Sequence, residues 1–294
     1  MQSGVCLAPE ALDLCQVEGK DPLACLQKVV SADLRGLAQG EIRLTLLLHP
    51  KGQFRGLFAV CLLGKEVFLL TPFGRGEELA DKLNFYLRFS HCLAKFCTAP
   101  GFLLIGNGAQ VASSLGLQEP LTPGTCGQWL MGRLFAETLL GLPGLFAVGL
   151  SEPNGIPQIS PEEVTLSRIK VGFPAWGFEL VDDVLPQEVG WGEPLVSLEK
   201  GCYIGQETAA RLATYGHTTR TLVRLRAERV ASMLKSLPEP LYLPGDGKAV
   251  GRITSFAKDR ESFLALALIR RKEAEVGAVF NGADCRWEVT DVLA

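Results

Sequence analysis

The sequence lacks an excess of charge of either sign. Its 29 Lys and Arg stand against 32 Asp and Glu, for a net charge of −3. A protein that grips nucleic acid mainly through its phosphates is basic overall, so a polyanion would need a local patch here. Long apolar runs are also missing. The longest stretch free of formal charge, residues 96–118, is broken by Pro100, Asn107, Gln110, Ser113, Ser114 and four glycines. A bilayer span needs roughly 20 mostly apolar residues. The apolar segment Leu139–Leu150 is short and contains Pro143. The opening MQSGVCLAPEALDL has neither the basic flank nor the apolar stretch of a secretory signal. The expectation is a cytoplasmic protein with no membrane partner.

Histidine is scarce, with only His49, His91 and His217, and the nine cysteines form no CxxC pair. Zinc sites usually show two close Cys or His pairs, so no metal site is expected. Scattered cysteines without a secretory signal suit a reducing compartment, most of them as small apolar core residues. With 47% hydrophobic and 21% charged residues, the composition is that of a packed globular protein and excludes a disordered chain. A length of 294 residues suggests about two domains.

The patterning mixes α and β. Residues 41–48 (EIRLTLLL) read as a strand, HPKGQFRG as a polar turn, and LFAVCLLG and EVFLL as further strands of a meander. Leu79, Leu83 and Tyr86 recur at helical spacing within 77–89. Phe102–Ile105, the turn Gly106-Asn107-Gly108 and Ala109–Leu115 read as strand, turn and helix. That arrangement resembles a phosphate cradle, but its spacing fits neither GxGxxG nor the P-loop. A helix is expected over 129–140, and another after Ser160, where Pro161, Glu162 and Glu163 suit a first turn. Beyond about residue 217, the stretches 221–226, 249–256, 263–269 and 285–292 read as short strands of a small barrel.

One segment carries chemistry. Residues 200–207 read Lys200-Gly201-Cys202-Tyr203-Ile204-Gly205-Gln206-Glu207. Glycines on both sides free the backbone and let another group approach closely. A nearby cation such as Lys200, or the N-terminus of a helix starting near Glu207, would favour the thiolate, which is the reactive form of cysteine. The same residues also suit an ordinary turn with a filler cysteine, and no histidine lies within ten positions.

The string KGCYIGQE resembles the signature of the YgfZ family of folate-binding proteins, relatives of the glycine-cleavage T-protein (aminomethyltransferase). Other segments fit in order: 33–48 followed by HPKG, FLLIGNGAQVASSLGL, RIKVGFP, WGFEL, LPQE, GKAVGRITSF and LALALIRR. The resemblance implies an α+β fold: a ring of an α/β folate-binding core, a small inserted α/β unit and a C-terminal antiparallel β-barrel. The corresponding division is a folate-binding module over 1–216, with the inserted unit near 40–115, and the barrel over 217–294. It further implies tetrahydrofolate or a one-carbon derivative in a central opening. The partners would be iron–sulfur enzymes, including those that thiolate tRNA, with weak tRNA contact. By the same resemblance, Cys202 carries the chemistry, with Lys200 as the catalytic cation expected beside it, within a loop formed by Gly201, Tyr203, Gly205, Gln206 and Glu207. Arg168, Glu179 and Glu188 would contact folate, since carboxylates suit the donors of a pterin and arginine suits the carboxylates of the glutamate tail.

Two other readings compete. T-proteins carry an acidic pair after their counterpart of HPKG, and this chain has Phe54-Arg55-Gly56-Leu57-Phe58 there. Acid–base work by that pair is therefore excluded, which weighs against a folate-dependent aminomethyl or one-carbon transferase. A non-catalytic module binding tRNA or protein is the other reading. It would use the positive stripe Arg211, His217, Arg220, Arg224 and Arg226, which equally reads as a solvated strand face.

Overall fold

The computed structural model describes residues 5–9, 12–98, 101–129, 132–137, 144–228, 236–245 and 247–294. Contacts divide the chain into two compact units that are interleaved in sequence. The first comprises Met1–Leu48, Arg55–Ser160 and Glu199–Ile204; the second comprises His49–Phe54, Pro161–Leu198 and Gly205–Ala294.

In the first unit the elements run β1 (Cys6–Pro9), β2 (Leu12–Gly19), α1 (Pro22–Gln27), β3 (Ile42–Leu48), β4 (Phe54–Leu63), β5 (Glu66–Pro72) and α2 (Gly76–Leu87). They continue with β6 (Cys92–Cys97), β7 (Gly101–Ile105), α3 (Gly108–Leu115), β8 (Thr125–Trp129), β9 (Gly132–Glu137) and β10 (Gly144–Val148). Two five-stranded sheets result, ordered β1-β7-β10-β9-β8 and β3-β4-β5-β2-β6. The helix α2 buries Leu79, Leu83 and Leu87, each worth about 1.5–3 kcal/mol of apolar burial. The helix α3 starts where the Asn107 side chain accepts from the Ala109 N–H and ends at left-handed Gly116. Phe68 and Phe135, one from each sheet, meet edge-on at 6.2 Å between ring centres.

The helix expected over 129–140 is not formed. Residues 125–129 and 132–137 are instead the antiparallel strands β8 and β9, with Cys126 opposite Phe135. Leu134, Phe135 and Ala136 are buried in succession, which a strand covered on both faces allows and the single apolar stripe of an amphipathic helix does not. Residues 130, 131 and 138–140 of that expectation lie outside the described residues.

The second unit holds α4 (Pro161–Val171), the short α5 (Gly192–Leu195) and α6 (Gln206–Tyr215). Its strands are β11 (Arg220–Ala227), β12 (Glu239–Tyr242), β13 (Ala249–Asp259), β14 (Ser262–Arg270), β15 (Val279–Gly282) and β16 (Cys285–Val292). These six close an antiparallel barrel in the order β11-β14-β13-β12-β15-β16. Alternation along the strands points Val223, Leu225, Ala265, Ala267, Ile269, Phe280 and Trp287 into one core. The alternate residues Leu222, Leu266 and Leu268 are buried as well, and α4 packs on β13 and β14. The α+β class and the C-terminal barrel expected from the sequence are both present. Among the described residues no helix is long and apolar enough to cross a membrane, and no group of three metal-ligating side chains converges.

Candidate functional site

The loop 199–204 of the first unit is held by the side chain of Lys200. Its residue is 4% exposed, and Nζ donates to the carbonyls of Val30 and Ala32, both at 2.7 Å. Those carbonyls are fixed in turn. The Leu46 N–H donates to Ser31 Oγ and the Ala32 N–H to Thr45 Oγ1, which pins the segment to β3. The Lys200 ammonium also stands 4.9 Å from the centre of the Tyr203 ring, close enough for a cation–π contact. Burial pulls the amine down to about 8, with Asp33 opposing and Arg35 adding to the shift. A neutral amine keeps two N–H donors, which matches the two carbonyls, so the clamp persists on either side of that value.

Cys202 is exposed, and its sulfur makes no hydrogen bond among the described residues. The positive charge expected beside it is directed to the backbone of Val30 and Ala32. Lys200 therefore holds the loop, and the sulfur is presented without a partner. Tyr203 is buried, and burial raises its hydroxyl to about 12. The two flanking glycines differ. Gly205 has φ +82° as the N-cap of α6, a conformation that favours glycine. A Cβ on Gly201 would meet nothing within 4 Å, and its φ is not in the left-handed region. Gln206 and the exposed Glu207 open α6 in the second unit.

The turn His49–Gly52 is closed by the Gly52 N–H on the His49 carbonyl at 2.7 Å and by the His49 N–H on Gln53 at 2.8 Å. Gly52 has φ +83°, and a Cβ there would fall 2.8 Å from Thr208 on α6. Both facts demand glycine at this position.

The three residues assigned to folate by resemblance are all engaged inside the second unit. Arg168 on α4 donates to Glu179 at 2.8 Å, to the Phe173 carbonyl at 2.8 Å and to Ser255 Oγ at 2.6 Å. Glu179, wholly buried, also accepts from the Ala175 N–H and from the hydroxyls of Thr254 and Ser255. Glu188 is buried and accepts from Arg220 through both oxygens, at 2.9 and 2.8 Å, and from the Leu185 N–H. These groups tie α4 and the 173–190 segment to the barrel strands β11 and β13.

Sequence reasoning passed over Asp183, which joins that frame. Its carboxylate accepts from Arg220 at 2.8 Å and from Arg252 at 3.0 and 2.7 Å. Burial opposes its ionisation, but the two guanidiniums outweigh it and lower the group to about 2. The expected stripe is partly neutralised as well. Arg224 is paired with Asp291 and with the Lys170 carbonyl, while Arg211, His217 and Arg226 are exposed.

A 36% identical relative is the "Putative transferase, chloroplastic" of Arabidopsis thaliana. The match runs over 310 residues and spans 94% of this chain and 68% of that protein. The chain belongs to the YgfZ/aminomethyltransferase-like family. The "tRNA-modifying protein YgfZ" of Colwellia psychrerythraea is 25% identical, with 72% of this chain and 68% of that protein covered. An uncharacterised Haemophilus influenzae protein is 24% identical, over 82% of this chain and 80% of its own length. Among solved structures, the glycine cleavage system aminomethyltransferase T from Bartonella henselae superposes with a TM-score of 0.84. It covers 98% of this chain and 86% of its own at 15% identity, so the family's fold is present here. No protein-family model matches the chain.

Proposed function

We propose that this chain is a reduced-folate-binding accessory protein that supports iron–sulfur enzymes, including those that thiolate tRNA, with Cys202 as its reactive group. The observation that carries this reading is the contrast within one loop. Lys200 and Tyr203 are buried and anchored, while the Cys202 sulfur between them is exposed and free of hydrogen bonds among the described residues. A thiol held out on a pinned loop is arranged to meet a partner. The kinship with a protein named as tRNA-modifying supports the direction of the chemistry.

Arg168, Glu179 and Glu188 do not fit the role of folate ligands. Their polar atoms serve one another and the barrel, and freeing them would leave buried charge unpaired. Folate contacts then fall to other groups, and the open space beside Gly201 is one place where a ligand can approach the backbone. A one-carbon transferase is the second reading, favoured by the name of the Arabidopsis relative and opposed by the lack of a carboxylate at 54–58.

The test is complementation of a strain lacking this gene with the parent chain or Cys202→Ala, assayed for iron–sulfur enzyme activity and thiolated tRNA. The parent restores both and the variant restores neither. Calorimetry with tetrahydrofolate shows binding to both proteins. A variant that complements fully, or a parent that gives no heat with tetrahydrofolate, overturns the reading.

A further inference from the structure

Three neighbouring strands of the barrel bring arginines together on the outer face. Arg220 on β11 lies directly opposite Arg270 on β14, and Arg252 on β13 lies opposite Leu268, two positions before Arg270. Ile269 points into the barrel core, so its neighbours Leu268 and Arg270 face outward, and the three guanidiniums share that side. Like charges directly opposite in a sheet repel. Asp183 and Glu188 compensate Arg220 and Arg252, but no carboxylate pairs with Arg270 or Arg271 among the described residues. Arg271 donates to Thr218 Oγ1 at 3.1 and 2.8 Å. Lys272 follows, 3.3 Å from Glu273 and largely exposed.

These cations line a hollow of about 740 Å³ together with Thr218, Thr219 and the start of β13. That volume is within the range of roughly 300–1,000 Å³ typical of small-molecule sites. Two adjacent uncompensated guanidiniums with hydroxyls beside them suit a phosphate dianion better than a single carboxylate, because each planar fork can bond two phosphate oxygens.

We propose that this hollow binds the phosphate group of a small ligand, with Arg270 and Arg271 as its anchors. The site lies wholly within the second unit and makes no use of Cys202. Calorimetric titration of the full chain with pyrophosphate, adenosine monophosphate and citrate, at matched ionic strength, tests it. Saturable binding of pyrophosphate or the nucleotide is expected, weakened about tenfold or more by Arg270→Gln with Arg271→Gln. Arg211→Gln and Cys202→Ala leave that binding unchanged. Arg270→Lys, which keeps the charge but not the fork, also weakens it. Tighter binding of the nucleotide names an organic phosphate, and tighter pyrophosphate an inorganic one. Binding that survives the double substitution, binding of citrate as tight as either phosphate, or no binding of either phosphate to the parent overturns the proposal. Unchanged thermal unfolding of each variant excludes misfolding as the cause of a loss.

Discussion

Arg168 and Glu179 face each other at 2.8 Å inside the second unit, with 7% and 0% of their side chains exposed. Eleven residues apart in sequence, they close the turn that follows α4 and lock it to Thr254 and Ser255 of β13. Such a pair is costly to break from one side, because the remaining charge stays buried. Glu179→Gln is expected to lower stability by about 3–5 kcal/mol in urea unfolding. Arg168→Met combined with Glu179→Leu should lose less than the sum of the two single changes. Additive losses would show that the two side chains do not act as a pair.

Lys200 gives a pH signature. Its folded value of about 8 lies below the ordinary lysine value of 10.5, so the unfolded chain holds more protons between the two. The contribution of this group to stability therefore rises as pH climbs from about 8 to 10.5 and is flat below. Carbon NMR of labelled lysine should find one side chain titrating near pH 8, and that signal should be absent from Lys200→Met. The same variant leaves the Val30 and Ala32 carbonyls unpaired, at about 1–3 kcal/mol each. A Lys200 signal titrating in the normal lysine range would refute the burial argument.

The two glycines of the loop separate structure from function. Gly205→Ala places a side chain at φ +82° and should cost roughly 1 kcal/mol or more. Gly201→Ala meets open space and should change stability by less than about 0.5 kcal/mol. If the space beside Gly201 serves a ligand, Gly201→Ala complements poorly despite normal unfolding, which activity assays beside denaturation curves would reveal. Equal stability loss in both variants would refute this distinction.

Acid should weaken the barrel frame. Asp183 is held at about 2 by Arg252 and Arg220, so its contribution is present above the ordinary carboxylate range near pH 4 and fades as pH falls toward 2. Asp183→Asn should flatten the stability curve over that window relative to the parent, as measured by thermal unfolding. A curve of unchanged slope would mean that the two arginines contribute nothing through Asp183.

Periodicity made much of the fold legible. The spacing of Leu79 and Leu83 exposed α2, the acidic first turn after Pro161 exposed α4, and the alternation through Thr221–Arg226 exposed β11. It failed at Leu134 and Phe135, successive buried residues of β9, where a strand covered on both sides has no polar face to show. At the site, Cys202 stood out because of its neighbours in sequence. The partners of Lys200 did not, since nothing local marks Val30 and Ala32 as acceptors for an amine so far along the chain. Arg168, Glu179 and Glu188 are singled out by the family resemblance, but only the fold shows that each already has a mate.

The amine and its acceptors are 170 and 168 residues apart. At synthesis rates of about 5–20 residues per second, the two carbonyls leave the ribosome on the order of 10 s before the lysine that will cap them. The cysteine loop is thus fastened late in the birth of the molecule, and a nascent chain halted before Lys200 lacks that anchor.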